Sequence, residues 1–174
     1  MKGYKGYISV EIPTKKYIKA FVISQLGEKP LLDRHSKYGR SLYSILESNR
    51  NPARLEYSEL RYNTSLKIYI PYKTHKNRGC SLNHTNIKDF NLMIEDEIKH
   101  RFYELMNHYM EMLPSIEGNL PHVRKKLGID IDSWSDDSMK KDYYRHRKST
   151  GKPIFYKNII TRYVRLKHNQ HFAV

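Results

Sequence analysis

One long amphipathic helix, predicted near the middle of the chain, constrains the fold more than any other feature of the sequence. Between Asn86 and Leu113 apolar residues recur at steps of three and four, the period of an α-helix. These residues are Ile87, Phe90, Ile94, Ile98, Phe102, Leu105, Tyr109 and Met112. Such a helix would be about 40 Å long, so we expect it to be the spine of the molecule. Thr85 or Asn86 is its expected cap, and Pro114 lies just past its end.

The same helix has a second, semi-apolar edge formed by Met93, Met106 and Met110. An apolar edge that the rest of the chain leaves uncovered is typical of a surface that pairs with another molecule. A homodimer through the 86–113 helix is therefore the alternative to a purely internal spine.

The segment before this helix, residues 1–82, is expected to be a mixed domain of strands and helices. Alternation over residues 7–12 predicts a strand whose apolar face comprises Ile8, Val10 and Ile12. A helix is expected to follow, with Thr14 as its N-cap and Gly27 at its end. Its apolar stripe would consist of Tyr17, Ile18, Phe21, Val22 and Leu26.

Shorter elements are expected between that helix and the central one. A short helix is predicted over residues 36–48, with its inward side formed by Leu42, Ile45 and Leu46. Two strands, one at Leu55 and Tyr57 and one over residues 65–72, are expected on either side of a turn at Asn63.

The last part of the chain is predicted to contain two further helices. Proline favours the first helical position, so Pro121 is expected to start a short helix, which ends at Gly128. Ser135 is expected to open a second helix, whose acidic first turn and basic last turn suit the helix dipole, and Gly151 to stop it. A short helix, a connector and a basic helix give the outline of a helix-turn-helix.

These elements predict an α+β fold in three parts. The parts are a mixed α/β domain at residues 1–82, a long central amphipathic helix at residues 83–114, and a basic helix-turn-helix-like unit with a basic tail at residues 115–174. Membership of the α+β class follows from strands and helices that do not alternate regularly along the chain.

Positive charge is the feature that bears most directly on function. Lys and Arg number 32 against 18 Asp and Glu, a net charge of +14 with a pI near 9.7. Residues 61–80 hold five basic and no acidic residues, and residues 140–174 hold ten basic residues and one acid. Residues 85–120 hold three Lys or Arg against seven acids. This segregation predicts a defined face for an anionic partner, most commonly the phosphate backbone of nucleic acid.

The second predicted helix of the last part carries the principal candidate residues for such contacts. At helical spacing one face comprises Lys141, Tyr144, Arg145 and Lys148. The opposite side, with Met139, Tyr143 and His146, is expected to pack on Trp134 and Leu127. Arginine can address guanine with two hydrogen bonds, whereas lysine and tyrosine more often contact phosphate. The alternative is an ordinary solvated helix with a basic face.

Two further basic segments are candidates for the same role. The tail carries Lys152, Lys157, Arg162, Arg165 and Lys167, interleaved with aromatic residues that could stack on bases. Residues 72–84 are expected to form a flexible basic loop that straddles a backbone or enters a minor groove through Lys73, Lys76 and Arg78. A packed terminal element and a solvated loop are the respective alternatives.

Several classes of protein are not supported by the sequence. No stretch approaches the roughly 18 apolar residues of a membrane span, and the first residues lack the apolar core of a secretory signal. A single cysteine, Cys80, allows no internal disulfide and suits the cytoplasm. His75, Cys80 and His84 lie close in sequence but lack a fourth zinc ligand, and with Asn77 they do not complete a His-Asn-His nuclease site. His75 and Arg78, with Tyr143 or Tyr144 as the nucleophile, would match only part of a tyrosine-recombinase site. No phosphate-binding loop or nucleophile motif occurs, so no catalytic residue, metal or cofactor is expected.

These observations predict a non-catalytic nucleic-acid-binding protein that prefers duplex DNA to RNA. Its role would be that of a regulator or an accessory factor in replication, recombination or packaging, and its small size and basic surface would suit a phage or other mobile element. An RNA-binding component of a ribonucleoprotein is the alternative, with 15 tyrosines as stacking surfaces. A third hypothesis is an interaction protein that grips an acidic partner, such as a polymerase-binding inhibitor or a virion component.

Overall fold

The computed structural model describes residues 6–33, 35, 38–40, 42, 62–78 and 84–151, and in this part of the chain two strands and five helices have both ends defined. The strands are β1 (Tyr7–Thr14) and β2 (Thr64–Pro71). The helices are α1 (Lys16–Leu26), α2 (Tyr72–Arg78), α3 (His84–Met112), α4 (Ile116–Leu127) and α5 (Asp136–Ser149). An antiparallel strand pair combined with helices confirms the predicted α+β class.

The strand pair buries one face and exposes the other. β1 runs antiparallel to β2, in a register that joins Tyr7 to Pro71 and Thr14 to Thr64. Because side chains alternate along a strand, the predicted apolar face of β1 lies inward, with Val10 and Ile12 buried and Ile8 half-buried. On β2 the buried side chains are Leu66, Ile68 and Ile70. The other predicted strand, at residues 55–57, lies outside the described residues.

The prediction that Thr14 caps α1 is wrong. Thr14 is the last residue of β1, and Lys15 occupies the N-cap position without a side-chain hydrogen bond. The Thr14 hydroxyl donates instead to Asn91 Oδ1 on α3, at 2.5 Å, and Asn91 Nδ2 donates to the carbonyl of Pro13 at 2.9 Å. Both side chains are buried, so this distant pairing satisfies polar groups that a local cap would have left unpaired.

The predicted stripe of α1 is confirmed. Ile18, Phe21 and Val22 are buried, while Tyr17 and Leu26 are half-buried against the same core. Gly27 ends the helix with a φ of 83° and donates its N–H to the carbonyl of Ile23. Of the helix predicted over residues 36–48, residues 38–40 and 42 are helical and Leu42 is buried, whereas Ile45 and Leu46 lie outside the described residues.

The long central helix is confirmed, but its buried line differs from the predicted one. Met106 and Met110 are buried, whereas Leu105 and Tyr109 are half-buried and Met112 is 64% exposed. The line shifts because α3 packs against β1 and α1 as well as against α4, so its partners change along its length. Two of the three methionines assigned to a dimerisation edge therefore lie in the core of the chain itself, and the third, Met93, is half-buried against that core. The homodimer remains a prediction.

The buried apolar side chains of all three predicted parts belong to one cluster. It includes Ile12 of β1, Phe21 of α1, Phe102 of α3, Leu120 of α4 and Tyr143 of α5. Burial of such side chains is the main favourable term in folding. The positions of the domain boundaries remain predictions.

The prediction that α4 starts at Pro121 is wrong by five residues. The helix begins at Ile116, and Ser115 caps it by accepting a hydrogen bond from the Gly118 N–H at 3.1 Å. Asn119 Nδ2 also donates to the carbonyl of Leu113, at 2.7 Å. Pro121 lies inside the helix, where it removes one backbone hydrogen bond. The serine cap and the buried side chains of the first two turns offset this loss.

A buried carboxylate, Glu95, lies on α3 where the start of α1 reaches it. Lys15 Nζ is 2.6 Å from Oε2 of Glu95, and Lys99 Nζ is 2.9 Å from Oε1. Burial alone would raise the pKa of Glu95, but hydrogen bonds and attraction from the two lysines outweigh it and hold the pKa below its ordinary value. The ionised carboxylate therefore ties the residue before α1 to α3.

Removing this carboxylate should weaken the fold in a pH-dependent way. Because the folded-state pKa is lowered, the stabilisation is present above the ordinary carboxylate range and is lost as the pH falls through the lowered pKa. Glu95→Gln should reduce the free energy of unfolding at pH 7 by about 1–3 kcal/mol, and by less near pH 3. Urea denaturation at both pH values measures this. The control is Glu104→Gln at an exposed pair with His100, which should change stability by under about 0.5 kcal/mol.

Gly128 should be the most sensitive glycine of those described. It has φ 66° and ψ 34°, a left-handed conformation, and an added Cβ would overlap the Cβ and Oγ of Ser24. Gly128→Ala should destabilise by about 2–4 kcal/mol, since the conformational strain and the overlap add. Gly151, with φ 64° and open space around its Cβ position, is the matched control and should lose only about 1 kcal/mol. Equal losses in thermal unfolding would contradict the contact with Ser24.

Candidate nucleic-acid interface

Two helices and a connector form the region where the sequence predicts nucleic-acid contacts. α4 ends at Leu127 with Gly128 as its C-cap, as expected from the sequence, and residues 128–135 lead to α5. Ser135 is the N-cap of α5 and its hydroxyl accepts a hydrogen bond from the Ser138 N–H at 3.4 Å. Within the connector the Ser133 N–H donates to Asp130 Oδ1 at 2.6 Å, which gives the connector a turn of its own.

Two ion pairs fix α5 against α4. Arg124 is buried, contacts Asp136 Oδ1 through Nε and Nη2 at 3.0 and 2.5 Å, and donates from Nη1 to the carbonyl of Asp130. Lys140 Nζ lies 2.6 Å from Glu117 Oε1. The partners follow one another in opposite order along the two helices, so α4 and α5 run antiparallel where they touch.

The inner side of α5 packs on α3. Met139, Tyr143 and Arg147 are buried. The Tyr143 hydroxyl donates to Asn107 Oδ1 at 3.0 Å, and its ring meets Phe102 edge-on at 6.1 Å. Burial raises the pKa of Tyr143 although Arg147 opposes the shift, so the phenol stays neutral and remains a donor.

Trp134 and His146 also hold this region on the body of the protein. The Trp134 ring stacks on Tyr17 at 5.1 Å and tilts against Phe102 at the same distance. His146 is half-buried, and its ring lies parallel to that of Tyr103 at 3.7 Å. The predicted inner side of α5 is therefore buried, with Phe102 contacting both Trp134 and Tyr143.

The charge pattern of the sequence does not predict that Arg147 of α5 is buried. This residue belongs to the basic last turn, yet it is only 4% exposed, and its Nη1 lies 3.4 Å from Asn107 Oδ1. Its guanidinium also lies over the Tyr143 ring, 5.9 Å from the centroid. The spacing of Met139, Tyr143 and Arg147, four residues apart each time, contains the signal, because such residues share one line on a helix.

The four candidate residues of α5 are all exposed, and we call them the outer face of α5: Lys141, Tyr144, Arg145 and Lys148. Arg145 Nη1 is 3.8 Å from Asp142 Oδ1, and its side chain is 79% exposed, so this pair is weak. Among the described residues neither Lys141 nor Lys148 has an ion pair. This face therefore presents its positive charges to the solvent.

The remaining candidates are distributed elsewhere. Lys73 and Lys76 are exposed on α2, a helix that packs on the strand pair, so the prediction of a loop over residues 72–84 is wrong for residues 72–78. The Tyr72 N–H donates to the carbonyl of Gly6 at 2.7 Å, which holds the start of α2 against the sheet. Arg78 is the last residue of α2, and its side chain lies outside what the structure describes. Also outside are Lys152, Lys157, Arg162, Arg165 and Lys167.

The described ranges contain neither a cluster of metal ligands nor a helix that could span a membrane. There, no three His, Cys, Asp or Glu side chains come together as metal ligands would. His84, one of the three residues considered for zinc, is exposed at the start of α3, whereas Cys80 lies outside the described residues. None of the described helices has the length and apolarity needed to cross a membrane.

The two arginines of α5 should respond differently to substitution. Arg147→Ala removes a buried partner of Asn107 and should lower the free energy of unfolding by about 1–3 kcal/mol. Arg145→Ala, two residues away and exposed, should change it by no more than about 0.5 kcal/mol. Chemical denaturation of both variants tests this, and a reversed order would show that the facing of α5 is wrong.

The chain was also compared with known proteins as a whole. No family model, curated protein or solved structure matches it. The comparisons therefore assign no function to the outer face of α5.

Proposed function

We propose that the protein binds nucleic acid, preferentially duplex DNA, through the outer face of α5 and without catalysing a reaction. The observation that carries this proposal is the division of α5 into two sides. The inner side is buried on α3, and the outer face presents three cations and a tyrosine. Such a division is what a helix needs if one side is to belong to the fold and the other to an anionic partner.

The dimensions of this face suit a duplex. Lys141 and Lys148 are seven residues apart, which corresponds to about 10.5 Å along a helix axis. The major groove of B-DNA is about 12 Å wide and admits an α-helix. Arg145 can reach guanine with two hydrogen bonds, and Lys141 and Lys148 can neutralise phosphates on either side.

The anchoring of α5 supports binding without rearrangement. The buried Arg124 fixes it to α4 through Asp136, with the more exposed Lys140–Glu117 pair beside it, and Asn107 fixes it to α3 through Tyr143. A helix that is held before binding loses less conformational freedom in the complex, so more of the contact energy appears as affinity.

The charge of the whole chain supports the same partner. Its net charge is +14, and each phosphate neutralised by a lysine or arginine releases counterions. In this proposal Lys73, Lys76, Arg78 and the basic residues of the tail add contacts outside the groove. A helix-turn-helix mode of docking, a homodimer and a cytoplasmic location remain predictions, and residues 128–135 exceed the usual three- to four-residue turn.

Binding should depend steeply on salt and on the outer face of α5. In fluorescence anisotropy with the full chain, the logarithm of affinity for a duplex of about 20 base pairs should fall linearly with the logarithm of salt concentration. Replacing Lys141 and Lys148 with alanine should lower the slope by roughly 2, because two phosphate contacts are lost. Arg145→Ala should reduce discrimination between duplex sequences by about 1–3 kcal/mol.

The matched control replaces Lys16 and Lys88, which are exposed on α1 and α3 and should leave the slope unchanged. Tighter binding to duplex RNA of the same sequence would favour the ribonucleoprotein hypothesis. No binding to any nucleic acid at low salt would contradict the proposal and favour an acidic protein partner.

A further inference from the structure

The surface that contains the outer face of α5 continues onto α4. α4 turns Ile116, Leu120, Val123 and Leu127 towards the core. Glu117 and Arg124 lie on the flank that meets α5, through their ion pairs. The side of α4 opposite the core is therefore exposed beside α5.

Lys125 lies on that exposed side. Residues of an α-helix follow one another at about 100°, so Lys125 is turned by that angle from Arg124 and points away from the core. Lys126 is turned by about 200° and lies on the flank opposite α5. Both lysines are exposed, and neither has an ion pair among the residues that the structure describes.

The exposed side of α4 and the outer face of α5 are neighbouring surfaces, and both lie on the side of their helix away from α3. Each helix packs its inner side on α3, α5 through Tyr143 and α4 along its buried apolar line. The antiparallel ion pairs place the last turn of α4 beside the first turn of α5. There, Asp136 is paired with Arg124, and Asp137 and Lys125 are both exposed.

We propose that Lys125 contacts the phosphate backbone of the same duplex that receives α5, whereas Lys126 does not. This inference rests on the proposed function. Packed helices have axes about 8–10 Å apart, so a duplex that takes α5 into its major groove brings one flanking strand under α4. A phosphate contact carries no sequence information, so Lys125 would add affinity for every duplex alike.

The experiment compares two adjacent lysines of equal charge. Lys125→Ala and Lys126→Ala are made in the full chain, and fluorescence anisotropy is measured with two duplexes of unrelated sequence. The salt concentration is varied over roughly 50 to 300 mM, where the loss of phosphate contacts changes affinity steeply. Lys125→Ala should lower the salt slope by about 0.9 and the affinity about five- to tenfold near 0.1 M salt, on both duplexes. Lys126→Ala should leave both within about twofold, and Lys125→Glu should weaken binding further than Lys125→Ala.

Each other outcome overturns the inference in a distinguishable way. Equal effects of the two alanine variants would show that only the total charge matters. A neutral Lys125→Ala beside a weakened Lys141→Ala would leave the proposed function standing and remove α4 from the surface. No binding of either duplex by the wild-type protein would overturn the proposed function together with this inference.

Discussion

The arrangement of the described strands and helices depends on two asparagines of α3, one buried and one half-buried. The side-chain amide of each needs hydrogen-bond partners at that position. Asn91 bonds to the end of β1, and Asn107 accepts from the Tyr143 hydroxyl on α5. An unpaired polar group away from water is costly, so each asparagine allows one placement of its partner element. The four turns between them, about 24 Å of helix, therefore set the separation of the strand pair from α5.

Charge reinforces this arrangement through ion pairs that lie apart from the candidate surface. Glu95 joins α3 to the start of α1, and the Arg124–Asp136 and Lys140–Glu117 pairs join α4 to α5. Basic residues are used in each case, so the net positive charge is divided between internal pairs and exposed side chains. The basic side chains of the outer face of α5 take no part in these pairs between helices.

Periodicity in the sequence correctly predicted the elements that bury one side against the core along their whole length. β1 and α1 belong to this group, because an alternating or helical pattern reports directly on burial. The helix α3 was also predicted, but its buried line was not, because its partners change along its length. Local signals failed where a distant partner competed with them. The Thr14 hydroxyl bonds to Asn91 rather than capping α1, and Arg147 is buried by Asn107 and Tyr143 despite its charge.

The candidate surface was predictable to a similar extent. Helical spacing placed Lys141, Arg145 and Lys148 on one exposed side, because this inference needs only the period of the helix. The relation of α4 to α5 was not predictable, because it depends on ion pairs between residues 12 and 23 positions apart. Such pairs leave no periodic trace in the sequence.

The separation of the two sides of α5 has a consequence for how such a protein changes over time. Residues on the inner side pack against α3, so substitutions there lower the stability of the fold. Lys141 and Lys148 form no ion pair among the described residues, so replacing them changes the charge of the surface while the packing of the helix is kept. Substitutions can therefore accumulate on the outer face without loss of stability, and divergent copies of this chain would keep their buried side chains while their outer faces differed.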